Sequence, residues 1–186
     1  MRVMGRETRS IRLSAEGGGA PVPEVLDQTR LPHEVRFVRL ESAGDAERAI
    51  REMWVRGAPL IGATAAYGLA LAARADPSDA ELAAAAERLV STRPTAVNLG
   101  WAVQYVLDRL APVGEAEREK AAFELAAALA DADVARCRAI GEHGESLLRQ
   151  LARVSGGNRP LQILTHCNAG WLATVDWGTA LAPVYR

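Results

Sequence analysis

Only two cysteines, Cys137 and Cys167, occur in the 186 residues. They lie in segments of different character with no CxxC pair and no secreted-framework spacing, so a disulfide scaffold is not the organising device and a reducing cytoplasm is expected. Long apolar runs are also missing. Nothing approaches the ~18 uninterrupted apolar residues of a membrane span, and the opening MRVMGRETRSIRLSAEGG is basic in tone without the apolar core of a secretory signal. Charge of one sign is lacking too: the formal net charge is -1, with basic residues spread along the chain, which argues against a nucleic-acid stripe. Histidine is scarce at 3 residues: His166 has no second histidine or carboxylate at ligand spacing, and His33 and His143 carry less signal still, so no metal site is expected. What is present is ordinary globular material, 49% hydrophobic and 24% charged, in a chain long enough for one domain or a little more.

Short apolar runs alternate with turn residues over the first 40 positions: SIRLS, then PVPEVL, then VRFVRLES. Gly17, Gly18 and Gly19 form a turn signal, and Val35, Phe37, Val38 and Leu40 predict a strand, together a small antiparallel sheet. From Gly44 the texture becomes helical. DAERAIREMWVRG has apolar residues at helical spacing and ends on Gly57, as at a C-cap. APLIGATAAYGLALAARAD is rich in small residues and predicts a buried helix. Ser78 with Glu81 three residues on predicts a capping box for the next helix. Pro94 breaks that helix and NLGWAVQYVLDRL resumes the period. The longest helical pattern, EAEREKAAFELAAALADADVARCRAIGEHGESLLRQLARV, contains Gly141 and Gly144, expected to kink or split it. SGGNRP then punctuates, and LQILTHC predicts a short buried strand of the parallel-sheet kind.

Three places carry chemistry. In MWVRGAPLIG, Arg56, the Gly57 and Ala58 amides and the N-terminus of the Pro59 helix together suit an anion, because exposed N–H groups and the helix dipole favour negative charge. The same stretch also reads as an ordinary turn with a solvated arginine. Thr92-Arg93-Pro94-Thr95 repeats the theme, since an arginine fixed by proline in a non-helical link is preorganised for phosphate; a surface turn is the alternative. Cys167 stands at the C-terminal end of the predicted strand, where open α/β sheets place ligands, although a lone cysteine is also a common core residue. Cys137, near Val134 and Ile140, reads as core. His166 alternates to the other side of the strand, and Trp54, Trp101, Trp171 and Trp177 read as core or interface anchors.

VLDQTRLP, VRGAPLIGATAAYGLAL, STRPTAVNLGWAV, RAIGEHGESLL and LTHCNAGWLATVDWGTAL occur in order from about Val25 to the end. Together they resemble the methylthioribose-1-phosphate isomerases of methionine salvage, whose relatives include ribose-1,5-bisphosphate isomerases and the non-catalytic regulatory subunits of the initiation-factor nucleotide exchange factor. RGAP-IG, RPTAVNL and THCNAG are specific in combination. The resemblance implies isomerisation of 5-methylthioribose 1-phosphate to 5-methylthioribulose 1-phosphate with no metal or organic cofactor, in a cytoplasmic homodimer with no nucleic-acid or membrane partner. It carries Cys167 over as catalytic, and Arg56, Gly57, Ala58 and Arg93 as substrate-binding with the phosphate as target. Asp176 does not match the family's catalytic aspartate, which lies in a later part of the α/β domain.

The expected architecture is α/β. An N-terminal domain over residues 1–155 holds the small antiparallel sheet and then helices, and residues 156–186 begin a Rossmann-like parallel-sheet domain with its first strand and helix, truncated there. One strand and one helix cannot close a sheet. A missing C-terminal half, in cis or as a separate chain, is therefore expected to complete the sheet, to cover WLATVDWGTALAPV with apolar surface from outside these residues, and to supply the rest of the site. The 186-residue chain alone is expected to be inactive.

Overall fold

The fold is built around one alanine-rich helix. In the computed structural model, which describes residues 1–3, 5–15, 20–154 and 160–186, α2 (Ala58–Ala75) is buried at every position from Leu60 through Ala73. α1 (Ala43–Arg51), α3 (Asp79–Thr92), α4 (Val97–Leu110) and α5 (Glu115–Val154) all pack on it. Small side chains permit this crowding. A Cβ on Gly68 would lie 3.0 Å from both the Ala46 and Leu89 side chains, and one on Gly62 would lie 3.2 Å from the Asn98 carbonyl. The only hydroxyl on this buried helix apart from Tyr67 is Thr64, which donates to its own Leu60 carbonyl at 2.8 Å. Fully buried leucines such as Leu60 and Leu69 each contribute about 1.5–3 kcal/mol of transfer free energy.

The small sheet forms as the sequence predicts. β3 (Ile11–Ser14), β4 (Val22–Leu26) and β5 (Phe37–Arg39) are antiparallel with β4 central, Ile11 opposite Val25 and Glu24 opposite Arg39. β1 (Arg2–Val3) and β2 (Arg6–Glu7) make a separate minimal pair. The predicted turn at Gly17, Gly18 and Gly19 lies outside the described residues, as does nearly all of SGGNRP.

Local details differ from the sequence reading. α1 stops at Arg51, six residues short of Gly57, and Met53 takes a left-handed φ of 60°. Its start holds a full capping box: the Asp45 N–H donates to Ser42 Oγ at 3.2 Å and the Ser42 N–H donates to Asp45 Oδ2 at 3.0 Å. At Ser78 only half of the predicted box forms. The Glu81 N–H reaches Ser78 Oγ at 3.3 Å, but the Glu81 carboxylate accepts from Arg88 at 2.7 Å instead of turning back. α5 is continuous through Gly141 and Gly144, because these glycines receive the short helix α6 (Ala182–Tyr185): the Ala182 carbonyl lies against Gly141 and the Pro183 ring against Gly144.

LQILTHC is not a strand. Residues 160–166 carry no regular structure and are exposed, Leu164 at 98%. No described strand lies beside them to complete a ladder. The following segment corrects the expectation in the opposite sense. Ala173, Thr174 and Val175 are buried on this chain's own N-terminal elements, and Val175 joins the main core. Their backbone groups are paired there. The Ser10 N–H donates to the Val175 carbonyl at 2.9 Å, Ser10 Oγ to the Trp171 carbonyl at 3.1 Å and Gln28 Nε2 to the Leu172 carbonyl at 2.6 Å. The Val175 N–H donates to Asp133 Oδ2 at 2.9 Å, and Asp176 takes the Met1 amine at 2.6 Å.

Gly57 (φ 100°) is where α2 meets this segment, and a Cβ there would overlap the Ala173 backbone. Gly57→Ala is expected to cost about 2 kcal/mol or more through left-handed strain and overlap and to accelerate amide exchange over residues 171–178. Gly100→Ala, on α4 with open space around it, should instead stabilise by about 0.5–1 kcal/mol; denaturant titration of both variants measures the contrast.

Burial raises the Asp133 carboxyl above its ordinary pKa of 3.8, opposed in part by the Val175 N–H. The folded chain therefore holds this proton more tightly than the unfolded chain, and the stability Asp133 contributes is fullest below 3.8 and is lost as pH rises through the raised value. Asp133→Asn keeps an acceptor for Val175 and should flatten that part of a pH-stability profile. Asp133→Ala leaves a buried N–H unpaired and should cost about 1–3 kcal/mol at neutral pH.

Candidate functional site

Both sequence-flagged arginines sit where a helix begins or ends. Arg56 is exposed just ahead of α2, Gly57 is the N-cap and Ala58 the first helical residue. Pro59 occupies the first turn, where its missing N–H leaves no unmet bond. The first intrahelical bond runs from the Ile61 N–H to the Gly57 carbonyl at 3.0 Å, so the Ala58 and Leu60 amides have no acceptor within the helix. Arg93 is the half-buried C-cap of α3, and its carbonyl accepts from the Ala96 N–H at 2.9 Å, closing the turn that launches α4. Neither guanidinium has an ion-pair partner among the described residues.

The packing of Gly62 on the Asn98 carbonyl brings the first turns of α2 and α4 side by side, so RGAP and RPT lead into neighbouring helix ends. The 3-10 turn Trp171–Ala173 seats on Gly57. Behind it, Gly170 and Gly178, both at positive φ, press backbone against backbone. Cys167 lies three positions before Gly170. Its thiol is exposed, its φ of 65° is left-handed, and it has no hydrogen-bond partner among the described residues. The structure thus joins the RGAP turn to the chain that follows THCNAG, while the Cys167 thiol itself points to no partner. His166 is exposed as well.

A cavity of about 480 Å³ opens between the first turns of α2 and α4 and the middle of α5. Pro59, Gly62 and Trp101 face Cys137 and Ile140 across it, with Thr179 at one side. Cys137 is only 2% exposed, as its core reading expects, yet it borders this cavity. Burial, aided by Asp133, pushes its thiol up to about 11. Trp101 is no core anchor: it is 47% exposed, with its ring 5.4 Å from that of Tyr105. Among the described residues no His, Cys, Asp and Glu side chains gather as a metal site.

The residues that hold the site-bearing segment were not found from sequence. Gln28 lies within VLDQTRLP, a motif that carries the family resemblance but gives no sign of the Leu172 carbonyl it bonds. Ser10 and Asp133 carry no signal, because their partners lie 161 and 42 positions away.

The sequence pattern of the Initiation factor 2 subunit family matches residues 54–182. A methylthioribose-1-phosphate isomerase of Methylorubrum populi is 57% identical over 185 residues, covering 100% of this chain and 49% of the relative. That of Rhodospirillum rubrum is 54% identical over 190 residues, covering 100% and 48%. The chain spans about half the length of the curated relatives it matches. Among solved structures, translation initiation factor eIF-2B subunit delta from A. fulgidus superposes with a TM-score of 0.78 at 36% identity, covering 96% of this chain and 50% of that one. The 5-methylthioribose 1-phosphate isomerase of Pyrococcus horikoshii does so with 0.76 at 32% identity, covering 96% and 49%. With more than half of its residues inside the family pattern, the chain belongs to the Initiation factor 2 subunit family.

Proposed function

We propose that these residues form the N-terminal half of an isomerase converting 5-methylthioribose 1-phosphate to 5-methylthioribulose 1-phosphate. The observation that carries the reading is identity of 57% and 54% across the whole chain with proteins named for that activity. The pairing of the α2 and α4 first turns, each preceded by an arginine with no ion pair among the described residues, supports it. Arg56, Arg93 and the Gly57 and Ala58 amides hold the phosphate. Cys167 acts on the reacting carbons, by proton transfer or by stabilising the transition state.

The chemistry asks for such a site. Phosphate on the anomeric oxygen prevents simple opening to a free aldehyde, so ring opening needs acid assistance before C1 gains hydrogen and C2 becomes a carbonyl. Developing charge is best stabilised where water is excluded. Residues 156–186 open a Rossmann-like second domain in this proposal. The C-terminal half, in cis or as a separate chain, supplies the strands that let QILTHC join a sheet, and the assembled protein is a cytoplasmic homodimer. The chain alone is then inactive.

The A. fulgidus match favours a second reading, a non-catalytic regulatory subunit that uses the same fold for protein contacts. Calorimetric titration of the completed protein separates the two: the isomerase binds 5-methylthioribose 1-phosphate, whereas no heat with any sugar phosphate would establish the regulatory reading.

Arg56→Ala and Arg93→Ala should each weaken substrate binding by roughly 1.5–3 kcal/mol, the worth of a charge-assisted hydrogen bond, with lysine restoring only part because it lacks the fork. Unchanged Michaelis constants in both alanine variants would remove the phosphate assignment.

In the completed enzyme, Cys167→Ala should lower turnover by orders of magnitude while substrate still binds, and Cys137→Ala should leave turnover near normal. Alkylation of the 186-residue chain followed by mass spectrometry should modify exposed Cys167 first and Cys137, buried and with its thiol near 11, much later. Turnover surviving in Cys167→Ala would end the catalytic assignment.

A further inference from the structure

Two site-bearing stretches meet at one turn. β4 ends at Leu26, and Asp27, Gln28 and Thr29 begin the chain's return towards β5. Hydrogen bonds fix this turn from several sides. The Leu26 N–H donates to the Ser10 carbonyl and the Asp27 N–H to the Arg36 carbonyl, both at 2.9 Å, while Asp27 Oδ1 accepts from the Thr29 N–H at 2.9 Å and from Thr29 Oγ1 at 2.6 Å. Gln28, 4% exposed, stands in the middle. Its backbone N–H donates to the carbonyl of Trp54, two residues before Arg56, at 2.9 Å, and its side-chain Nε2 donates to the carbonyl of Leu172, five residues after Cys167, at 2.6 Å. One buried residue spans both stretches.

The contact selects for glutamine. A carbonyl oxygen only accepts, so the group facing Leu172 must donate, and the amide does so without burying a charge. Asparagine is one methylene short, methionine has the length but no donor, and ionised glutamate would set oxygen against oxygen. The 3-10 turn that receives the bond is the one seated on Gly57 through Ala173. The bond therefore helps to fix the RGAP turn relative to the chain leading back to Cys167.

We infer that Gln28 is a positioning residue for the isomerisation: its backbone holds the loop that presents Arg56, and its side chain holds the segment that presents Cys167. Phosphate-binding and reacting groups are thereby kept at one separation. The inference rests on the isomerase reading and adds to it a residue that acts through others. Side-chain variants leave the bond to Trp54 in place and release only Leu172, so they divide chemistry from binding.

The test is steady-state kinetics of the completed protein on 5-methylthioribose 1-phosphate across pH. Gln28→Met should lower kcat about tenfold to a hundredfold, the scale of a roughly 1 Å misplacement, with KM unchanged. Gln28→Glu should match it at neutral pH. Burial raises the new carboxyl above its ordinary pKa of about 4.3, and as pH falls through that raised value the protonated group regains a donor. The ratio of Gln28→Glu to parent kcat, in which other titrating groups cancel, should then rise. A merely structural loss shows no such rescue, and the isosteric glutamate variant carries the test alone if Gln28→Met does not fold. Parental kcat in Gln28→Met, or a loss confined to KM, overturns the positioning role. A Gln28→Glu ratio that stays flat across pH overturns it as well. Each of these results leaves the isomerase reading standing, whereas a parent protein without turnover overturns both together.

Discussion

The unbroken burial of α2 from Leu60 through Ala73 is the constraint on which the rest of the molecule depends. An α-helix can be surrounded only if its neighbours approach closely, and the run of Ala and Gly in APLIGATAAYGLALAARA permits that on every side. Gly68 admits α1 and α3, and Gly62 admits α4. Gly57, at the helix start, admits the backbone of Ala173. The same smallness that allows packing thereby brings the first turn of α4 and the 3-10 turn to one end of one helix. The candidate site sits at that end because the closest backbone approaches are there.

Polar accounting explains why residues 171–178 stay on the helical body. An irregular segment with a buried backbone must find partners for each N–H and C=O. Here Ser10, Gln28 and Asp133 provide them from the bend before β3, a turn and a helix. Asp133 is the costly member, as its carboxyl is pushed upward by burial. In return the Val175 N–H is held in a fixed position. Residues 160–166 have no such partners among the described residues and remain exposed. The contrast between these two adjacent stretches follows from whether backbone groups find partners, since LQILTHC is by composition the more strand-like of the two.

Two chemistries then lie at one end of α2. The exposed Arg56, the half-buried Arg93 and the first-turn amides suit an anion, while Pro59, Trp101 and Ile140 give the neighbouring cavity an apolar wall beside the polar side chains of Asn98, Arg136 and Thr179. Cys167 stands on the loop tied down by Gly170 and Gly178, held in a left-handed conformation that residues with a Cβ seldom adopt.

Elements that depend on local pattern were readable from the sequence alone: the three-stranded sheet, the buried character of α2, the start of α3 at Ser78 and the burial of Cys137. The motifs RGAP, RPTAVNL and THCNAG, in order, were enough to indicate the family. What the sequence could not determine were outcomes that turn on partners distant in the chain. Gly141 and Gly144 suggested a break in α5, but α6 fills the space they leave, and the helix runs on. QILTHC has strand composition, yet a strand is a property of a pair, and no described strand lies beside it. WLATVDWGTALAPV was expected to look outside for cover, because nothing local announces that Ser10, Gln28 and Asp133 converge on it. Local propensity and periodicity are written in neighbouring residues, whereas hydrogen-bond satisfaction and close backbone approach exist only once remote segments have met.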